Sequence, residues 1–509
     1  MTDDPRLVAL AGPGGVRRAP LLLHVTAVVT LTSDSTLSTG SATGSGDLAI
    51  VRDPATGRPV WPGSTQAGLL RHHLAARATP VDAPEAALVG ATFGSGTQQS
   101  ALHTSDSRAT LPPGESPARR HGNRVDPRTR LVEAGGVFDV EVLPAGTEFA
   151  LDWRLHLPAD PGGSVPDALL GLLLAATGLD GDPDGIRLGV RAGRGRGTVR
   201  SSRWRARVHD LTTPTGFLGW YTRTPSAPAS DADDAADLAG ALRTCSGLPT
   251  DVDALVDAAA RVPDERDALV LHLDVAVAEP DGRGGVRAGT LLHGAAAAPE
   301  PGSPRLRPLR RPVEGCGTAT IDPGTAVHSL LGRQARWIAH SLAGRAEDAD
   351  AFVAGLFGDR PGPGARAPRP SRVRETDVPV EGGRSVTLPR IRIDPLTQGT
   401  IPGLLFSEEV LVGGSARWSI VVRRPSVPEV GLIALVLRDL ADGIAVPHGH
   451  GSAVGHGRRV LTGGEIEVRG TGLRSRLGAE ESCTWSEFRS GPVPQMAVAT
   501  LHEHLGGTR

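Results

Sequence analysis

Lysine is absent from this 509-residue chain, so all 54 of its basic residues are arginine. Cysteine is nearly absent too. Cys245, Cys316 and Cys483 are far apart and odd in number, which excludes a disulfide framework and a cysteine zinc cluster. Aromatic residues make up 3% of the chain, too few for a surface that stacks successive bases on rings. No apolar run approaches the length of a membrane span. The opening MTDDPRLVALAGPGG carries acids and no long apolar core, unlike a secretory signal. A cytoplasmic protein without a membrane partner is expected. A P-loop, a GxSxG elbow and an HExxH helix are all missing. The formal net charge of −2 gives no nucleic-acid signal for the chain as a whole.

What remains is enough for a folded protein of two or more domains, with 39% hydrophobic residues. A GC-rich genome accounts for arginine in place of lysine. Arginine nonetheless pairs bidentately with phosphate and stacks on bases wherever it clusters. Leu21–Thr32, β-branched and free of Gly and Pro, predicts a strand. A helix is predicted after Pro62, with Leu69, Leu70 and Leu74 on one face. Val137–Val142 and Glu148–Leu157 read as paired strands around a Leu-Pro-Ala-Gly turn. Ala168–Gly178 reads as a helix and Ala268–Ala278 as a strand. Residues 213–264 read as a linker with surface helices, and residues 473–509 as a C-terminal tail without a signal.

The second half repeats the first. Residues 124–147 moved forward by 268 give ten identities in 24 positions, among them Arg124/Arg392, Asp126/Asp394, Phe138/Phe406 and Glu141/Glu409. Average composition gives roughly two. Pro62-Gly63-Ser64 matches Pro323-Gly324-Thr325, and Gly195-Arg196-Gly197 matches Gly455-His456-Gly457. Two α+β units of about 200 residues each follow from this, over 16–212 and 265–472.

Three kinds of segment carry chemistry. Arg187–Arg207 holds eight arginines and no acid, and its glycines let backbone amides approach a phosphate. Arg191, Arg194 and Arg196 are the candidate contacts. The counterpart PHGHGSAVGHGRR, with Arg458, has His and Val where the first copy has Arg, so weaker RNA binding is expected. The glycine spacing of His448, His450 and His456 argues against a metal site. Helix starts at Gly63-Ser64 and at Thr325, with Arg71 nearby, offer free N–H groups to an anion, or are plain capped helices. His72 and His73 read as surface residues. Two Pro-rich insertions, 108–130 with Arg119, Arg120 and Arg124, and 360–392 with Arg392, are net basic and read as irregular arms.

In this order, the segments resemble the RAMP superfamily, specifically the backbone subunits of type III CRISPR effector complexes. The resemblance rests on LSTGSATGSGDLAIVRDPATGRPVWPGSTQAGLLR (Leu37–Arg71), on Thr92-Phe93-Gly94 and Leu356-Phe357-Gly358, on RIDPLTQGTIPGLLFSEEVLVGG (Arg392–Gly414), and on the late Gly-rich loops. It covers about residues 20–210 and 266–472. It implies two ferredoxin-like RNA-recognition domains in tandem, each with an inserted thumb hairpin. It also implies three kinds of partner: a CRISPR guide RNA, a single-stranded target RNA and the other effector subunits. An Asp before the RDP run would cleave target RNA with Mg²⁺ or another divalent cation; the match is Asp47, as catalytic residue and metal ligand. Asp53 is the nearby alternative, though Asp-Pro-Ala-Thr-Gly reads better as a turn. The second copy has Arg305 where the first has Asp47, so the second unit is expected to bind without cutting. The alternatives are a purely structural guide-binding subunit, a guide-processing enzyme using His121, and an unrelated two-domain α+β protein.

Overall fold

The computed structural model describes residues 21–43, 47–77, 84–96, 99–125, 132–157, 166–222, 234–283, 285–296, 304, 306–313, 317–359 and 369–506. Two hydrophobic cores organise them. The strand Leu21–Leu31 alternates as a half-buried strand should, and turns Leu23, Val25, Ala27, Val29 and Leu31 into the first core. It pairs antiparallel with Glu148–Leu157 on one side and Val199–Asp210 on the other. Helices Gly63–Arg77, Pro84–Phe93 and Asp167–Ala176 contribute Leu70, Leu88 and Leu172 to that core. Each fully buried side chain of this kind stabilises by about 1.5–3 kcal/mol.

The second half repeats the plan. Ala268–Ala276 lies between Ser415–Arg423 and Val460–Arg469, again antiparallel. Helices Gly324–Leu342, Ala346–Phe357 and Val427–Ala441 pack beside it. The mixed α+β content matches the expected class.

The strand Ala118–Val125 pairs with Val132–Val142, and Arg384–Ile393 pairs with Thr400–Val412. Their registers agree residue for residue under the sequence offset of 268. Gly122 faces Phe138 and Arg390 faces Phe406, while Val125 faces Val132 and Ile393 faces Thr400. The backbone agrees elsewhere too. Leu188 N donates to Gly197 O at 2.7 Å, and His448 N to Gly457 O at 3.0 Å.

Several expectations change. The arms read as irregular contribute strands to these hairpins, 118–125 in the first and 384–392 in the second; 126–130 and 360–368 of the two arms lie outside the described residues. Val132–Val142 does not pair with Glu148–Leu157. The turn between them passes the chain from the hairpin sheet to the central one. The helices Leu238–Thr244 and Val252–Arg261, expected on a linker, bury Leu238, Leu242 and Leu255 in the first core. The expected tail is folded through Gly506. Its helix Pro492–Gly506, with Leu473, Trp485 and Phe488 before it, completes the second core through Ala497, Leu501 and Leu505.

The two halves join through an ionic seam. Arg194–Gly195 of the first half pairs in parallel with Glu375–Thr376 of the second. Glycine is required there: a Cβ on Gly195 would lie 2.4 Å from Asp377 Oδ1, and one on Gly324 2.7 Å from Gly195 Cα. Buried Arg187 donates to Glu375 O at 2.6 Å. Arg266 Nη1 lies 3.1 Å from Asp184 Oδ2, and Arg469 Nη1 2.8 Å from Asp182 Oδ2. Arg423 also pairs with Asp184.

Candidate nucleic-acid interface

Asp47 opens the short strand Asp47–Ile50, whose Leu48 bridges in parallel to Val140 of the first hairpin. In the second half, Leu306 bridges in parallel to Glu408. Positions 140 and 408 correspond, so Leu306 takes the place of Leu48. Arg305 itself, and the side chains of Asp47, Arg124 and His121, lie outside the described residues. The strand is pinned at its far end, where Ile50 N donates to Glu141 Oε2 at 3.1 Å and Arg52 pairs with Glu141. Asp53 serves the turn and a neighbouring strand. Its Oδ2 accepts from Arg108 Nε at 2.6 Å and its Oδ1 from Ala55 N at 2.8 Å. The Arg108 hydrogen bond leads in holding its carboxyl below the usual range. This is the turn that the sequence suggests, with both carboxylate oxygens engaged inside it.

The second hairpin stands away from the body, with exposed or half-exposed residues on both faces of Arg384–Ile393. Arg384 and Arg392 are exposed, whereas Arg390 donates to Glu408 at 3.1 Å. Leu396 at its tip is 91% exposed, and Leu405 further down its strands is 72% exposed. Asp394 Oδ1 closes the tip by accepting from the backbone of Leu396 at 2.8 Å and Thr397 at 2.9 Å. On the first hairpin Arg119 is exposed, but Arg120 turns inward to Asp34 at 2.6 Å.

The helix starts differ from the expected anion sites. Gly63 N donates to Asp106 Oδ1 at 2.8 Å and Gly324 N to Asp377 Oδ1 at 2.8 Å, so each is capped by a carboxylate of the chain. Ser64 and Arg71 are exposed and Thr325 is half-buried. Of the two adjacent histidines, only His72 is on the surface. His73 is buried, and burial leads in pushing its pKa down to about 3.

Burial likewise pushes Asp377 up to about 7. For an acid raised in the fold, stability is complete below the unfolded pKa of 3.8 and falls as pH rises through about 7. Asp377→Asn is therefore expected to flatten the loss of stability between about pH 4 and 7 in denaturation curves.

The eight-arginine segment is not one patch. Arg187 is buried in the seam, Arg203 pairs with Glu148 and Arg205 with Asp234. Strand alternation and distant acids, invisible in the local sequence, divide the charges. Arg191, Arg194 and Arg196 do lie together in the loop. Arg191, at φ 61°, sets its guanidinium 4.2 Å over the Phe138 ring at the hairpin root. Arg196 Nη1 is buried without a hydrogen-bond partner among the described residues. In the second loop Arg458 is exposed, while Arg459 is buried.

The three loop histidines separate. His450 is exposed, His456 Nδ1 lies 2.7 Å from Thr290 Oγ1, and His448 joins a cluster that sequence reading missed. Asp322 Oδ1 lies 2.9 Å from His293 Nε2 and 3.3 Å from His448 Nε2. This triad has ligand-like spacing. The other oxygen, Oδ2, accepts from Arg459 Nη2 at 2.6 Å and Trp418 Nε1 at 2.8 Å. Arg459 thus already supplies the cation, and four donors fill the carboxylate's acceptor sites. The arrangement reads as a closed polar network. The first half has Leu37, Trp61, Leu188 and Val199 at the corresponding places, so no pattern shared by the two halves announces it.

Residues 28–200 match the family model of the RAMP superfamily. The matched stretch holds the end of the central strand, Asp47, the first hairpin and the first Gly-rich loop. No curated protein matches the chain.

Proposed function

We propose that this RAMP-superfamily chain is a backbone subunit of a type III CRISPR RNA-guided complex, formed by two ferredoxin-like units fused in tandem, the first with its core completed by the helices within 238–261 and the second by those within 473–506. It binds the guide RNA and cleaves complementary target RNA at the first unit, with Asp47 holding a divalent ion or accepting the 2′-hydroxyl proton. The second unit binds without cutting. The observation that carries this reading is the equal register of the two hairpins, with Leu48 and Leu306 bridged to corresponding positions; in sequence the residue before each is Asp47 in the first copy and Arg305 in the second. A carboxylate can serve a metal or a proton; an arginine there can only hold phosphate. Other support comes from the second hairpin. Exposed Leu396 at its tip and Leu405 further down its strands, beside exposed Arg384 and Arg392, suit a wedge set against base faces, with the arginines on the backbone.

A complex loaded with guide, complementary RNA and Mg²⁺ tests this. The natural chain is expected to give discrete target fragments and Asp47→Ala intact, bound target. Equal cutting by both would leave the chain a structural guide-binding subunit, and absence of RNA binding would remove the reading altogether.

A further inference from the structure

Asp34 follows the central strand, at the start of the path that leads through Ser38–Thr43 to Asp47, and it is 6% exposed. Four parts of the molecule meet on it. Oδ2 accepts from Arg120 Nη2 of the first hairpin at 2.6 Å and from Arg311 Nε of the second half at 2.8 Å. Oδ1 accepts from Ala145 N at 3.2 Å, in the turn that leaves the hairpin. Its carbonyl accepts from Gly197 N of the Gly-rich loop at 2.9 Å.

The fold does not require a carboxylate here. In the second half the corresponding carbonyl, which accepts from Gly457 N at 2.7 Å, belongs to Thr290. A buried carboxylate is costly unless paired, and two guanidiniums on one oxygen meet that cost here. The cavity beside it, lined by Thr32, Ser33, Arg311 and Asp377, has a volume of about 40 Å³. That admits a water and no nucleotide, so the place is a joint and not a binding pocket.

We propose that Asp34 is a positioning residue that locks the first hairpin and the second half in one register beside the strand that begins at Asp47. Its consequence for cutting rests on the proposed function: a fixed spacing of the hairpins fixes which phosphate reaches Asp47. The lock itself does not depend on that reading.

The test compares the full chain with Asp34→Asn and Arg311→Gln, first by amide hydrogen exchange without RNA. Each variant is expected to raise exchange about tenfold or more in both 118–125 and 306–313, leaving the central strands 21–31 and 268–276 unchanged. The double variant is expected to add little to either single one, because both break one joint. Unchanged exchange, or a rise spread over both cores, would overturn the lock. The second readout is the cut in the guide-loaded complex. Asp34→Asn is expected to keep target binding, cut more slowly and spread the cut over neighbouring phosphates, with Asp34→Glu restoring part of the selectivity. A natural chain that never cuts, with the exchange result intact, would remove the nuclease reading and leave the lock standing. Loosened exchange with an unchanged cut site and rate would overturn the positioning role.

Discussion

Asp322→Ala is expected to destabilise the second unit by about 3–5 kcal/mol, read by urea denaturation. The carboxylate is fully buried and serves four donors, so its removal strands the Arg459 charge and leaves Trp418 Nε1 and both histidines without their acceptor. Replacing all four polar residues by their first-unit counterparts, as His293→Leu, Asp322→Trp, His448→Leu and Arg459→Val together, is expected to cost far less than the single change. A packed apolar core replaces a buried ion pair at little net loss, whereas half a pair is strongly unfavourable. Since the network supplies its own cation, a chelator is expected to leave the Tm unchanged. The pH dependence has a definite sign. Arg459 and the histidine donors outweigh burial and hold the Asp322 carboxyl well below 3.8. Its contribution is therefore present above about pH 4 and lost as pH falls through the depressed value.

The second large effect concerns salt. Guide binding by the assembled complex is expected to weaken steeply between 50 and 200 mM salt, by roughly 300-fold to 10⁴-fold if six to ten phosphates are held. Arg119, Arg194, Arg384, Arg392 and Arg458 are exposed on or near the hairpins and loops. Neutralising Arg384 and Arg392 together is expected to lower the slope of log affinity against log salt by about 1.4, at about 0.7 for each single-strand phosphate no longer neutralised. Charge buried in the seam cannot contribute, so Arg187→Gln is expected to leave the slope unchanged while lowering stability. A slope insensitive to the hairpin arginines would place the RNA elsewhere.

The architecture was legible where pattern is local. The alternation in Leu21–Leu31 and Ala268–Ala276, the helix after Pro62 and the 268-residue repeat all have direct structural counterparts. The hairpins were less legible, because Arg384–Ile393 has no buried face to impress a period of two on its sequence. The fate of individual charges was not legible. Arg120, in a basic arm, and Arg187, in the eight-arginine segment, look like phosphate ligands in sequence, and Arg459 adjoins the candidate Arg458. They find acids and carbonyls at Asp34, Glu375 and Asp322, 86 to 188 residues away. The caps on the two helix starts, Asp106 and Asp377, are likewise distant in sequence.

Single-turnover cleavage of a complementary RNA by the guide-loaded complex, comparing the natural chain with Asp47→Ala and Asp53→Ala, tests the central claim most directly. Asp47→Ala is expected to lose about 10²-fold or more of the rate with binding retained. Asp53→Ala, which loosens a turn, is expected to stay within several-fold of the natural chain. Equal rates for the natural chain and Asp47→Ala, or a loss confined to Asp53→Ala, would contradict the account.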